Sequence, residues 1–232
     1  MNKKDFGHSF LAYTRFAPGQ PLPGNGKRMP TAKVYASPLE TIDLPEPRKT
    51  GGSQTWRLFA QMAPQVPELE LTLQLSDLAQ MLMPLADRDG RRGYVSSAGA
   101  YPVETYLVAR RVQDTFPGVY HFAVKANQLE QIAGGPDWQE WSRALAAAPG
   151  VERAGVLIVF TIVPERSVSR QGPRGYRQAL MEAGKATHAV FTAAVALGLA
   201  ASEAEVFYDD LVSRLLGLPA GEYPVAVMLV GR

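Results

Sequence analysis

The segment from Arg174 to Leu199 sets the scale of whatever this chain folds into. It is the longest stretch with a helical period, and carries Leu180, Ala183, Thr187, Val190, Phe191, Ala194 and Leu197 on one side. At about 1.5 Å per residue it predicts a rod on the order of 35 Å. Its C-terminal half is small and apolar all round, a composition suited to burial rather than to a surface helix. Such a helix belongs at the centre, with the remaining elements arranged about it.

Those elements are mixed. Leu75, Leu78, Ala79, Leu82 and Met83 fall at helical spacing behind Ser76 and Asp77, and Pro84 marks the end. Val103–Ala109 and Val119–Val124 read as strands that a turn at Pro117–Gly118 can pair as a hairpin. Trp138–Ala147 predicts a surface helix, and Ala154–Val163, rich in Val and Ile, a strand buried on both faces. A short helix at Asp209–Leu216 stops at Gly217, and a last strand runs over Pro224–Val230. Without regular βαβ alternation, the expected class is α+β. Residues 1–50 stand apart as an arm rich in Pro and Gly, among them Pro18, Gly19, Pro21, Pro23, Gly24, Gly26 and Pro30, with no helical or strand period. The expected organisation is that arm followed by one domain over 51–232.

Composition then narrows the chemistry. With no Cys and only His8, His121 and His188, the chain has no thiolate, disulfide or iron–sulfur chemistry, and its scattered histidines make a poor metal site. Reactivity falls to ordinary polar side chains or a bound organic cofactor. A net charge of +2, with basic residues in short pairs such as Lys3–Lys4, Arg48–Lys49, Arg91–Arg92 and Arg110–Arg111, is no nucleic-acid footprint. No apolar run approaches the roughly 20 residues of a membrane span, and the start has no signal-peptide core, so a cytoplasmic protein is expected.

Two segments are unusual. Tyr94-Val-Ser-Ser-Ala-Gly-Ala-Tyr-Pro-Val103 is a small-residue loop feeding a strand, and its backbone can approach a flat ligand closely; a plain tight turn is the alternative. In Gly172–Gly184, Arg174, Tyr176 and Arg177 open the long helix, where cations oppose the dipole unless they face an anion. That anion is a ligand phosphate or a buried Glu182, or else the arginines are simply solvated.

In this order the segments resemble the SagB-type dehydrogenases of the FMN-dependent nitroreductase superfamily, and more closely the oxidase domains associated with nonribosomal peptide synthetases. Ser97-Ala-Gly-Ala-Tyr-Pro-Val-Glu-Thr-Tyr-Leu107 is similar to the family's Ser-Ala-Gly-x-Leu-Tyr-Pro-x-x-x-Tyr, and Pro117-Gly-Val-Tyr-His-Phe122 to Pro-Gly-x-Tyr-x-Tyr, with Leu129 following. Arg174-Gly-Tyr-Arg177 with Glu182-Ala-Gly184 is similar to Arg-x-Tyr-Arg and Glu-Ala-Gly, and Ala196-Leu-Gly-Leu199, Leu215-Leu-Gly-Leu218, Glu222 and Val230-Gly-Arg232 match the C-terminal pattern. Lys33-Val-Tyr35 and Ile42-Asp-Leu-Pro45 resemble the lead-in of the synthetase-associated oxidases.

The resemblance implies a nitroreductase-like α+β fold, with a mainly antiparallel central sheet flanked by helices, forming a homodimer with FMN at the interface. Ser96, Ser97, Ala98 and Gly99 would lie along the isoalloxazine ring, and Leu197, Gly198 and Leu199 would form a second loop near it. Glu182 and His188 would face the cofactor from the central helix. It implies oxidation of an azoline ring to a thiazole or oxazole, with O2 reoxidising the flavin and a peptidyl carrier or synthetase module presenting the substrate in trans. Where the family has Arg-Arg-Ser-x-Arg-x-Phe for the phosphate, this chain has Ser53-Gln-Thr-Trp-Arg-Leu-Phe59, which keeps Arg57 and leaves Arg174, Arg177 or Arg232 to assist. The small-residue loop is also one residue shorter, and Arg170-Gln171 replaces the family's Lys-Tyr. Arginine stays protonated, so the candidate bases are Tyr101, Tyr176, His188 and Glu182, or an ordered water. His188 has the most suitable ordinary pKa, against the alternative of a hydrogen-bonded core histidine. Two other functions remain open: an NAD(P)H-dependent reductase of nitro compounds or quinones, and an FMN-free scaffold.

Overall fold

The computed structural model describes residues 3–19 and 26–232, with the side chains of residues 3 and 4 left out. Pro21, Pro23 and Gly24 of the arm lie outside the described residues. The framework is one antiparallel sheet of seven strands: β1 (Glu40–Asp43), β2 (Val103–Ala109), β3 (Gly118–Ala123), β4 (Gln128–Gly134), β5 (Val156–Ile162), β6 (Ala200–Glu203) and β7 (Tyr223–Gly231), in the order β1-β4-β3-β2-β5-β7-β6. β2 and β3 form the expected hairpin, with Tyr106 opposite His121, and β5 lies between β2 and β7, buried along its whole length.

Alternation along the strands divides the core in two. Ile158 and Phe160 of β5, with Leu107, Phe122, Met228 and Val230, face a layer made by α3 (Leu75–Leu82) and α6 (Arg174–Ala196). Leu157 and Val159, with Tyr106, Val108, Val227 and Leu229, face α4 (Trp138–Ala144) and α7 (Asp209–Leu216) through Trp141, Leu145, Val212 and Leu216. The sheet is thus the middle of three layers, the arrangement period-2 alternation produces when both faces are covered. α6 buries Ala179, Ala183, Ala186, Val190 and Ala194 against it, small side chains that let helix and sheet approach closely. α7 ends on Gly217 in the left-handed conformation (φ 62°), as read from the sequence.

The structure departs from the sequence reading at the arm and on α6. The arm carries a helix, α1 (Lys3–Tyr13), and the edge strand β1, which pairs Ile42 with Leu129. α1 turns Phe6, Leu11 and Tyr13 outward, so no apolar stripe marks it, and four residues of β1 are too few to show alternation. Leu180, placed by its period on the buried side of α6, is 48% exposed, while Phe191 and Leu197 are half-buried. α4 stops at Ala144 rather than Ala147, because Ala146 and Ala147 turn to positive φ. Two short helices, α2 (Thr55–Gln61) and α5 (Glu165–Gln171), complete the fold, and α2 buries none of its residues.

One glycine fixes how α5 meets α6. A Cβ on Gly175 would lie 2.3 Å from the backbone nitrogen of Val168 and 2.4 Å from the carbonyl carbon of Ser167, so the two chains touch backbone to backbone. Gly175→Ala is expected to cost about 2–3 kcal/mol as these backbones are forced apart, seen as a drop of roughly 4–12 °C in the melting midpoint. An unchanged midpoint would show that the crossing is loose.

Candidate active site

Residues 94–101 form an irregular loop leading into β2, with a short 3-10 turn at Ser97–Gly99. Three of its residues have positive φ: Ala98 (54°), Gly99 (59°) and Tyr101 (44°). For alanine and tyrosine this backbone is unfavourable unless surrounding bonds impose it. Those bonds are present. The Ser97 N–H donates to Glu182 Oε1 (2.7 Å) and the Tyr101 N–H to Ser96 Oγ (2.9 Å). Gln171 Nε2 donates to Ser97 Oγ (2.5 Å), Arg170 to the Ala98 carbonyl (2.8 Å) and Lys185 to the Val95 carbonyl (3.2 Å). The tip stays open: Ala98 and Gly99 are exposed, with nothing within 4 Å of a Cβ on Gly99.

Glu182 is the titratable group that this loop meets in the interior. It is fully buried, and among the described residues its Oε2 has no hydrogen-bond partner. Burial raises its pKa above the ordinary carboxylate value; the Ser96 hydroxyl, the Ser97 N–H, Lys185 and Arg92 offset part of that rise. The pairing with an arginine of its own helix, left open by the sequence, does not form. Arg177 instead donates through Nε to Thr14 Oγ1 (2.5 Å) and through Nη2 to the Leu11 carbonyl, and Arg174 lies over the Phe16 ring at 5.4 Å. Both arginines are therefore occupied by the N-terminal arm. Arg232 pairs with Asp77 at 3.1 Å, and Arg57 is exposed on α2.

The other candidate bases separate. Tyr101 is a structural clamp: its hydroxyl accepts the Arg92 N–H (3.2 Å), and its ring packs 4.7 Å from the Arg92 guanidinium. Tyr176 is 43% exposed on the outer side of α6. His188 is exposed too, which removes the core-histidine reading; it lines a cleft of about 730 Å³ with Phe191, Pro64, Val66, Leu145–Pro149, Ser202, Glu203, Glu205 and Val206. Its ring lies 6.5 Å from that of Phe191.

The second predicted loop sits elsewhere. Leu197 caps α6 and Gly198 (φ 71°) turns the chain into β6, while Leu199 is a core residue. Glu182 and Leu197 are fifteen residues apart on one helix, roughly 22 Å, so a single chain does not bring the two predicted loops together. Leu197 instead borders a pocket of about 280 Å³ with Arg48, Lys49 and Thr50–Ser53. Sequence reasoning marked Arg48–Lys49 only as a basic pair; the adjacent Gly51-Gly52 was the signal that this pair borders an open turn. Arg170 and Gln171, which stand in place of the family's Lys-Tyr, both contact the loop, a placement with no signal in the sequence.

Three comparisons bear on this geometry. The nitroreductase family model matches residues 52–232. The Escherichia coli microcin B17-processing protein McbC is 29% identical over 135 residues, covering 55% of this chain and 49% of McbC, so the chain spans about half the length of that curated relative. Among solved structures, a protein of Anabaena variabilis named as a nitroreductase superposes with a TM-score of 0.77 at 20% identity, over 97% of this chain and 46% of that one. A chain of the E. coli microcin synthetase McbBCD complex, solved with truncated pro-MccB17 bound, gives 0.66 at 20% identity, over 100% of this chain and 94% of that one.

Proposed function

The chain belongs to the nitroreductase family, and from that premise we propose that it is an FMN-dependent oxidoreductase that dehydrogenates an azoline ring, or an amino-acyl unit, of a carrier-bound peptide in natural-product biosynthesis. The observation that carries this reading is the buried Glu182, one oxygen on the Ser97 N–H and the other unpartnered, behind an open backbone loop. The likeness to a microcin-processing protein supports a peptide-derived ring as substrate.

The residues present fit the cofactor. Exposed Ala98 and Gly99 leave room for a flat ring against the backbone, and Arg48, Lys49 and Arg57 offer exposed cations for a phosphate. When bound, FMN supplies the two-electron acceptor, with O2 as the terminal oxidant. Glu182 would accept the proton lost by the substrate ring, and Gln171 and Arg170 hold the loop against it. Because the two ligand loops lie at opposite halves of α6, the site is completed by a second copy. With the two α6 helices antiparallel, the C-terminal end of one is set opposite the N-terminal half of the other. The exposed Leu180 and Met181, and α2 with Trp56 83% exposed, are the surfaces this dimer would cover.

The test begins with the purified protein. It is expected to take up one FMN per chain, with flavin fluorescence quenched, and to lose that binding on dilution below the dimer's dissociation constant. A carrier-bound thiazoline peptide should then lose the mass of two hydrogens as O2 is consumed. Rapid bleaching by NAD(P)H with no loss of mass would favour a nitro or quinone reductase. A colourless protein that ignores added FMN would leave the scaffold reading, which the occupied Arg174, Arg177 and Arg232 favour.

A further inference from the structure

On the face of the sheet opposite α6, four acidic and basic side chains are buried in a row that ends on the Ser96–Tyr101 loop. Glu130 of β4 stands directly across from His121 of β3, with its Oε2 2.8 Å from Nδ1. The other ring nitrogen of His121 lies 3.0 Å from Glu104 Oε2 on β2. Glu104 Oε1 accepts from Arg166 Nη2 of α5 (2.5 Å) and from the Lys33 N–H of the arm (2.7 Å). Arg166 Nη1 donates onward to the Tyr101 carbonyl (3.0 Å). All four side chains are at least nine-tenths buried, and the acids and bases alternate along the row. Each ring nitrogen of His121 therefore faces a carboxyl oxygen, so the imidazole is held from both sides. Burial by itself would raise the Glu104 pKa, but His121 and Arg166 outweigh it and hold that carboxyl below its ordinary value.

The row ends at a strained point. Tyr101 has φ 44°, and its carbonyl is gripped by Arg166 while its ring and hydroxyl are gripped by Arg92. One peptide before it, the chain must turn so that Ser97 reaches Glu182 and Ala98–Gly99 face outward.

We propose that Arg166 is a positioning residue that fixes the exit of the Ser96–Tyr101 loop in its left-handed turn, and that Glu104, His121 and Glu130 form the frame that holds Arg166 in place. The proposal rests on the loop being the seat of the cofactor, but its direct consequence is the order of the loop itself. A fork that contacts two acceptors at fixed angles requires arginine; lysine keeps the charge and loses the second arm.

The test measures amide hydrogen exchange in Arg166→Lys and His121→Gln without FMN, followed by FMN titration. Arg166→Lys is expected to speed exchange at Ser97–Tyr101 roughly ten-fold, with β5 unchanged, and to weaken FMN binding by a similar factor. His121→Gln should give the same pattern at smaller size. Lys33→Met, which breaks the neighbouring Nζ–Glu222 pair but keeps the backbone bond to Glu104, should leave the loop as in the wild type. Unchanged loop exchange in Arg166→Lys overturns the proposal, and so does a rise spread equally over β5. A loop-confined rise in a protein whose wild type binds no FMN upholds the positioning role and sinks the cofactor reading alone.

Discussion

Glu104→Ala is expected to lower the unfolding free energy by about 3–5 kcal/mol, which for a chain of 232 residues corresponds to a fall of roughly 6–20 °C in the melting midpoint. The loss comes from stranding partners rather than from the worth of the pair. Glu104 is wholly buried and partners Arg166, His121 and the Lys33 N–H, so truncation strips one bond from each: Arg166 keeps only the Tyr101 carbonyl, His121 only Glu130, and the buried guanidinium loses its carboxylate. The pH dependence has a definite sign. The carboxyl's folded pKa is depressed, so its contribution is fully present above the ordinary, unfolded value and is lost as pH falls through the folded one. Wild type should therefore lose stability on acidification below the ordinary carboxylate range, and the variant should lose less over the same window. Thermal melts by circular dichroism at neutral and descending pH check both points. A midpoint shift of a degree or two at neutral pH would mean that the interior relaxes around the gap and that the frame is not rigid.

How far the sequence reveals this molecule depends on how much of each element's burial shows as a period. α6, α3, α7, β5 and the β2–β3 hairpin are legible because their apolar residues recur at one spacing and bury on that side. β1 and β6 have four residues each, and β4 carries Gln, Glu and Gln among its apolar positions, so these three strands owe their existence to pairing with neighbours rather than to local pattern. At the site, the small-residue loop and Glu182 both stand out in the sequence, and they meet. The fate of Arg174 and Arg177 was not legible, because the groups that occupy them, Phe16, Thr14 and Leu11, lie more than 150 residues away in an arm without a period. The buried charges were hidden for a different reason. In Val103-Glu-Thr-Tyr-Leu107, a polar residue between apolar ones reads as the wet side of a half-buried strand, whereas here that side is covered by the arm, α4 and α5.

Glu182→Gln separates activity from stability and should move them in opposite directions. Glutamine keeps an acceptor for the Ser97 N–H and fills nearly the same volume, so the loop is expected to hold. It cannot take a proton, and turnover with a carrier-bound azoline should fall by roughly 10²–10⁴-fold, the usual range for losing a positioned general base, with KM little changed. The carboxyl's raised pKa reverses the stability argument made for Glu104. Between the ordinary value and the folded value, the folded state binds more protons than the unfolded chain, so Glu182 costs stability progressively as pH rises through that window. The permanently neutral amide is free of that cost, and the variant should be at least as stable as wild type at neutral and mildly alkaline pH. In the rate profile, wild-type kcat should climb with pH as the carboxylate forms, and the variant should lose that limb. Burial accounts for both halves of the expectation: the same desolvation that keeps Glu182 protonated longer brings its pKa towards the range where a base accepts and releases a proton readily. A glutamine variant with full turnover would move the base to another group, with exposed His188 at the edge of the cleft the next to substitute.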